Sequence, residues 1–424
     1  MQCKEIKDET LGERYYEYHM ENGLTVLVCP KPEKSGCFAM LGARIGSATG
    51  DFLLGGQRVT VPAGVAHFLE HKLFESEQGD AFTLFAKTGA NANAYTSYDR
   101  TCYLFGASVN VLDSLAILVD FVSHPHFTAA TVQKEQGIIG QEIKMYDDSA
   151  EWVLYTSVLR SLYKELPLRE DIAGTVETIA QITPQTLYDC YDAFYRPANM
   201  VLSVCGNVRP EEVAAVCEKG YAGVSFGTKP VERLSYDEPD AIADGGSTRR
   251  MSIFEKQFCL GFKEIPYAGP DKLRRELAGK ITLDLIAGET SPLYRELYDR
   301  GLINDTFELS DLADDDYLCY TFSGESRDPS YIADRIKAEI DRVRRAGVDR
   351  ERFEEMKRTA LGSVVCGFDS VETVATNLLY YHFRGGALFD AVAAARAVTA
   401  EDCDTLLQSV LRADKCALAV AQPQ

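Results

Sequence analysis

Two stretches of this chain repeat the same pattern, and the repeat limits the possible folds more than any other feature of the sequence. Residues 183–205 and 399–421 each begin with a threonine, continue as an amphipathic helix that ends at an arginine, and finish as an apolar strand. Thr183 matches Thr399, and the two arginines match in the same register. Each half of the chain is therefore predicted to be one copy of a single fold.

A second pair of related segments supports the duplication. Residues 102–105, Cys-Tyr-Leu-Phe, resemble residues 319–322, Cys-Tyr-Thr-Phe, at nearly the same offset. We predict an α+β protein of two homologous α/β-sandwich domains that enclose a cavity. The predicted domains are 1–225 and 249–424, joined by a linker, 226–248, that is rich in turn-forming residues.

Hydrophobic periodicity predicts the order of elements in the first repeat. Apolar and alternating runs indicate strands, and longer amphipathic runs indicate helices. The predicted strands are 24–28, 38–44, 92–98 and 101–107, and the predicted helices are 64–74, 111–123 and 132–146.

The motif that carries most chemistry is His67-Phe-Leu-Glu-His71, an H-x-x-E-H sequence that inverts the common H-E-x-x-H motif of zinc proteases. On a helix, residues four apart lie on one face, so His67 and His71 can bind one metal ion. Glu70 projects from the edge of that face and can accept a proton from activated water. The second repeat lacks this motif, and its single histidine is His382.

A catalytic zinc site needs a third protein ligand and keeps one position open for water. The predicted helix 132–146 offers two candidates, Glu135 and Glu142, which share one stripe of the helix. The spacing of these residues does not choose between the two carboxylates.

Charge and composition exclude several classes of function. The formal net charge is −20 and no basic stripe is present, which argues against nucleic acid as a partner. No run of about 18 apolar residues occurs, so no membrane span is expected. The charged N-terminal segment lacks the apolar core of a signal peptide, and we expect a cytoplasmic protein. The twelve cysteines are scattered without a C-x-x-C pair, which favours buried thiols over disulfides.

With these motifs the chain resembles the pitrilysin-like inverzincins, a family that includes insulysin and the mitochondrial processing peptidases. The resemblance covers essentially the whole chain and rests on residues 67–72, 89–96 and 135–148, together with the duplicated half. It is closest to the short bacterial processing proteases, which bear zinc and have two repeats rather than four.

The resemblance implies roles for individual residues. It implies one Zn²⁺ per chain, with Glu142 as the third ligand and Glu135 as an acid that orients the site. It also implies that Asn93 and Ala94 lie on an edge strand that pairs with an extended peptide substrate.

The second repeat departs from the family pattern at one place. Family members carry an Arg and a Tyr there, which grip the substrate and stabilise the oxyanion. In this chain Leu297 stands where the Arg belongs and Asn304 where the Tyr belongs. Because every residue on the metal side is present, we expect a homologous partner subunit that supplies the Arg/Tyr pair, rather than a chain that has lost activity.

Motif and resemblance together predict a zinc-dependent endopeptidase that cleaves short or unfolded peptides, acting as the metal-bearing subunit of a heterodimer. Glu70 is predicted to be its catalytic proton carrier. The main alternative is a non-catalytic scaffold or assembly subunit of the same fold, which the complete ligand set disfavours. A small-molecule metallo-hydrolase is disfavoured by the long hairpin strand, and manganese or cobalt in place of zinc stays open.

Overall fold

The computed structural model describes residues 2–76, 79–264 and 271–424. The chain forms two compact units, and each is assembled from segments that are separated in sequence. Unit 1 comprises Met1–Ile143, Glu170–Ser235 and Val365–Phe389, and unit 2 comprises Lys144–Arg169, Tyr236–Val364 and Asp390–Gln424.

The elements of regular structure are numbered here in chain order. The strands are β1 (Gln2–Asp8), β2 (Glu13–His19), β3 (Thr25–Pro30), β4 (Cys37–Ala43), β5 (Phe52–Leu54), β6 (Gln57–Val59), β7 (Glu75–Ser76), β8 (Gly79–Asp80), β9 (Asn91–Thr96), β10 (Thr101–Ala107), β11 (Met200–Gly206), β12 (Val231–Arg233), β13 (Gly246–Met251), β14 (Gln257–Glu264), β15 (Glu308–Ala313), β16 (Leu318–Glu325) and β17 (Cys416–Pro423). The α-helices are α1 (Val65–Leu73), α2 (Ala81–Thr88), α3 (Val111–Ser123), α4 (Ala129–Asp147), α5 (Ala150–Leu162), α6 (Val176–Ile179), α7 (Pro184–Phe194), α8 (Pro210–Gly220), α9 (Lys272–Ala287), α10 (Pro292–Asp299), α11 (Pro329–Ala346), α12 (Arg350–Cys366), α13 (Val371–Phe383), α14 (Asp390–Ala397) and α15 (Ala400–Ser409).

Unit 1 is built on a seven-stranded sheet of order β1-β2-β3-β11-β4-β10-β9. The pair β3 and β11 is parallel, and the other neighbours are antiparallel. Successive side chains of β10 point to opposite faces. The ring of Tyr103 packs against those of Phe74 and Phe121, next to α1 and α3. Cys102, in contrast, lies with Phe383 of α13 beside Gly42. Helices therefore cover both faces of this sheet.

Unit 2 repeats the arrangement with a five-stranded sheet of order β13-β17-β14-β16-β15. Here β13 and β17 are the parallel pair, so the order and directions match those of β3-β11-β4-β10-β9 in unit 1. Leu260 faces a core formed with α9, α11 and α15, and the next residue, Gly261, meets Val158 and Leu162 of α5 on the other face. The predicted α+β fold with two homologous domains is confirmed.

The repeated segments form the pairs α7–β11 and α15–β17. The hydroxyls of Thr183 and Thr399 accept hydrogen bonds from the backbone N–H groups of Thr186 and Asp402, as expected for N-cap residues. Strand β11 is buried along its whole length, which explains its continuous apolar sequence. The predicted strands of the first repeat correspond to β3, β4, β9 and β10, and the predicted helices to α1, α3 and α4.

Each unit contains one helix that belongs to the other repeat in sequence, which the sequence did not indicate. Helix α5 lies before the predicted linker but packs on β14 and β17 of unit 2. Helix α13 lies in the second repeat but packs on β11 and β4 of unit 1. The spatial units are thus discontinuous, whereas the predicted domains 1–225 and 249–424 are contiguous.

The predicted linker, 226–248, is tied to its surroundings. Its strand β12 pairs with β5 of unit 1. Further along, the Glu238 carboxylate forms an ion pair with the buried ammonium group of Lys263 and accepts backbone N–H groups of 164–166, all within unit 2. None of the helices in the described ranges has both the length and the apolar composition needed to cross a bilayer.

Candidate metal centre

The helix that carries the H-x-x-E-H motif starts at a position that only glycine fits. Gly64 precedes α1 with a φ of 92°, and a Cβ there would lie 2.4 Å from the carbonyl oxygen of Ala173. Helix α1 is buried along almost its whole length, and His67 and Glu70 are only 7% and 8% exposed. The motif side chains are therefore held in one orientation by packing.

The two histidines and Glu142 bring their donor atoms together. The rings of His67 and His71 have centroids 4.6 Å apart. Nε2 of His67 lies 3.6 Å from Oε1 of Glu142, and Nε2 of His71 lies 3.4 Å from Oε2. One ligand atom from each of the three residues lies within 4.8 Å of the others.

These separations fit ligands of one ion better than hydrogen bonds. Distances of 3.4 and 3.6 Å are long for N–H···O contacts. Two atoms bound to a tetrahedral zinc ion at about 2.1 Å lie about 3.4 Å apart. The donor set of two imidazoles and one carboxylate is also one that zinc takes in catalytic sites.

Helix α4 places its two glutamates in different positions. Glu142 faces the Nε2 atoms of both histidines, whereas Oε1 of Glu135 lies 3.0 Å from Nδ1 of His71. Burial alone would lower the pKa of His71, but the bond to Glu135 and the charges of Glu70 and Glu142 raise it. Nδ1 of His67, in contrast, is buried without a hydrogen-bond partner in the described part of the chain. Glu135 can thus fix the ring orientation and tautomer of His71.

Glu70 is held by a residue whose role the sequence analysis missed. The hydroxyl of Thr96, the last residue of β9, donates a hydrogen bond of 2.7 Å to Oε2 of Glu70. Burial raises the pKa of Glu70, while Thr96 and the two histidines oppose that change. A carboxylate in this setting can accept a proton and release it again. The only available signal was that Thr96 ends the run 89–96 on which the family resemblance rests.

The strand that was predicted to bind substrate lies at the edge of the sheet. Within the described ranges β9 pairs with β10 alone, so its other side is open. The backbone N–H of Ala94 donates a hydrogen bond of 2.9 Å to the side-chain oxygen of Asn93. An edge strand of this kind can pair with an added strand. The pairing of Asn93 and Ala94 with a peptide stays a prediction.

The position chosen for the missing arginine does not point to solvent. Leu297 is fully buried in the core of unit 2, so a substrate-gripping side chain could not project from it. Its neighbour Tyr298 is 50% exposed. Asn304 donates to Glu325 and accepts from Thr306, which makes it part of a turn.

The chain is similar to known families of peptidases. Residues 60–176 match the family described as Insulinase (Peptidase family M16), and residues 181–360 match the family described as Peptidase M16 inactive domain. The chain is 36% identical over 426 residues to a Bacillus subtilis protein named Uncharacterized zinc protease YmfH, covering 99% of both. The chain belongs to peptidase family M16. The pitrilysin-like resemblance is thereby confirmed.

Solved structures of M16 proteins agree with the fold. The crystal structure of an M16-like peptidase from Alicyclobacillus acidocaldarius has a TM-score of 0.94 and 34% identity, covering 99% of this chain and 100% of that one. A Schizosaccharomyces pombe protein named as mitochondrial-processing peptidase subunit beta is 29% identical over 228 residues, 53% of this chain and 48% of the relative. The inactive-domain match, residues 181–360, lies outside the H-x-x-E-H motif, which agrees with the restriction of that motif to the first repeat.

Proposed function

We propose that this M16 chain is a zinc-dependent endopeptidase whose metal is held by His67, His71 and Glu142. The observation that carries the proposal is the convergence of these three side chains at ligand separations, with the buried Glu70 beside them on the same helix. The name zinc protease, which several relatives bear, supports the choice of metal and reaction.

The chain's own groups supply most of the chemistry. A zinc ion bound there contributes Lewis acidity, which polarises the scissile carbonyl and lowers the pKa of water. Glu70 accepts the proton of the attacking water and transfers it to the leaving amine. Thr96 orients the carboxylate for both transfers, and Glu135 keeps His71 in place. The open edge of β9 binds the peptide main chain as an added strand, which gives affinity with little demand on sequence.

We also propose that a homologous partner subunit completes the site. The buried Leu297 has no polar hydrogen to donate to a substrate oxyanion, and the side-chain amide of Asn304 already donates to Glu325. The relative named as a beta subunit supports an assembly of paired chains. Activity of the isolated chain equal to that of a mixture with its paired homologue would contradict this part of the proposal.

The decisive experiment is Glu70→Gln, assayed for zinc content and for cleavage of unfolded peptides in the presence of the partner. We expect normal zinc content and a loss of turnover, because the amide keeps the shape but cannot accept the proton. Glu218→Gln, the same change at an exposed residue of α8, is the matched control. Cleavage by Glu70→Gln at the wild-type rate would remove Glu70 from this role.

The competing function is a non-catalytic scaffold or assembly subunit of the same fold. The match of residues 181–360 to the family described as Peptidase M16 inactive domain supports this alternative. A scaffold needs neither zinc nor Glu70, so protein purified without chelator would contain no stoichiometric zinc and would cleave nothing with any partner. About one zinc per chain together with cleavage favours the peptidase.

A further inference from the structure

Unit 2 contains a pocket of about 820 Å³, within the usual size range of ligand sites. One wall is aromatic. Trp152 of α5 lies with its ring 5.1 Å from the ring of Tyr146 and 6.1 Å from that of Tyr155. All three rings line the pocket.

The opposite wall is polar and negatively charged. It is formed by residues of β14, β16 and β15, which are neighbouring strands of the unit 2 sheet. The Glu325 carboxylate there accepts neutral amide donors, 2.9 Å from Nδ2 of Asn304 and 3.3 Å from Nε2 of Gln257. Neutral donors position a carboxylate without cancelling its charge. Glu308, at the start of the edge strand β15, adds an exposed carboxylate.

The charged side chains that line the pocket are all of one sign. Among the described residues that line it there are acidic side chains but no Lys, Arg or His. A ligand that enters the pocket therefore meets aromatic ring faces on one side and uncompensated carboxylates on the other. Planar guanidinium and compact ammonium groups satisfy both, by stacking on the rings and by pairing with the carboxylates.

We propose that this pocket binds a Lys or Arg side chain of the peptide substrate, so that unit 2 selects basic peptides. The proposal rests on the proposed peptidase function, because it assigns the ligand to the substrate of that enzyme. The pocket is larger than one side chain, and it can accommodate residues on either side of the basic one. The edge strand β15 offers main-chain groups to such a segment, since it pairs with β16 alone in the described residues.

The chain provides its own probe. Trp152 is the single tryptophan of the sequence, so intrinsic tryptophan fluorescence reports on this wall of the pocket. The full-length protein, freed of metal, is titrated with the capped peptide acetyl-Ala-Ala-Arg-Ala-Ala-amide and with the same peptide containing norleucine instead of arginine. We expect a saturable change with the arginine peptide and binding weaker by roughly tenfold with norleucine. Equal affinity for both peptides would overturn the proposal.

Variants locate the binding. Glu308→Gln and Glu325→Gln are each expected to weaken arginine-peptide binding by about five- to tenfold, and Glu354→Gln, an exposed glutamate of α12, is expected to leave it unchanged. Glu308 is exposed, and its carboxylate forms no hydrogen bond or ion pair with the other described residues, so its result stands even if Glu325→Gln fails to fold. Unchanged affinity in Glu308→Gln together with unchanged or unobtainable Glu325→Gln would refute the pocket assignment.

Further outcomes distinguish a peptide from a free polyamine as the ligand, and the pocket proposal from the peptidase proposal. Spermidine that binds more tightly than the arginine peptide would overturn the assignment to a peptide. Because the titration needs neither metal nor turnover, an inactive protein that still prefers the arginine peptide would contradict the peptidase function but not the pocket. Cleavage without any preference for basic peptides would contradict the pocket proposal but not the peptidase function.

Discussion

Thr96→Val tests whether the hydroxyl of Thr96 tunes the proton carrier. The valine has nearly the same shape, so the main change is the loss of the 2.7 Å hydrogen bond to Oε2 of Glu70. That bond stabilises the ionised carboxylate and thus lowers the pKa of Glu70, against burial, which raises it. Removing it must raise the pKa further.

The size of the effect follows from the strength of such a bond. A hydrogen bond to a charged group contributes about 1.5–3 kcal/mol, which corresponds to about 1–2 pH units at 1.36 kcal/mol per unit. Glu70 has to be ionised to accept a proton from water. The acidic limb of kcat/KM should therefore move to higher pH by about 1–2 units, with a 10- to 100-fold loss on that limb and a smaller loss at high pH.

The assay is a full pH profile of kcat/KM for peptide cleavage by the zinc-loaded protein with its partner. Thr405→Val is the matched control, since the Thr405 hydroxyl donates a hydrogen bond to the carbonyl of Glu401 on the same helix, α15, in unit 2. An acidic limb that stays in place, or moves to lower pH, would refute the role of Thr96. A uniform loss at all pH values would show that Thr96 contributes to folding or positioning rather than to the pKa of Glu70.

Three other perturbations test the surroundings of the site. Glu135→Gln should weaken zinc binding by about 10- to 100-fold in chelator competition, because the ring of His71 loses its charged partner. Glu238→Gln should destabilise the fold by about 3–5 kcal/mol in urea titration, since Lys263 stays buried without its counter-charge. Burial would raise the pKa of Glu238, but Lys263 and backbone N–H groups lower it below its usual value. The stability that this carboxylate contributes to the wild-type protein is therefore present at neutral pH and lost on acidification. The Glu238→Gln variant should lack that pH dependence. Gly64→Ala should cost about 1–3 kcal/mol in the same assay, through its positive φ and the contact with Ala173.

The elements with strong local signals were predictable from sequence. The threonine caps of α7 and α15, the apolar strand β11 and the hairpin β9–β10 all depend on neighbours within a few residues, and all form as predicted. Strands β1 and β2 were missed. The residues of β1 are polar and charged, as suits an exposed sheet edge, so they carry little of the apolar pattern that marks a strand.

Long-range features were less predictable. The burial of Leu297, which stands where family members carry the Arg, could not be read from the sequence, because it depends on how helix α10 packs in the core of unit 2. The exchange of α5 and α13 could not be read from local periodicity either. Each helix has an apolar face, and periodicity shows that such a face must be covered but not which sheet covers it.

The sequence by itself determined the pairing of His67 with His71 and the presence of Glu70 beside them, because four residues of helix carry side chains to one face whatever surrounds them. Only the tertiary structure decided that Glu142 meets both imidazoles while Glu135 lies behind one of them, and that Thr96 reaches Glu70. Those contacts join elements that are distant in the chain. They depend on the angle and depth at which α4 and β9 pack around α1, which is set by the summed packing of the whole unit rather than by any local pattern.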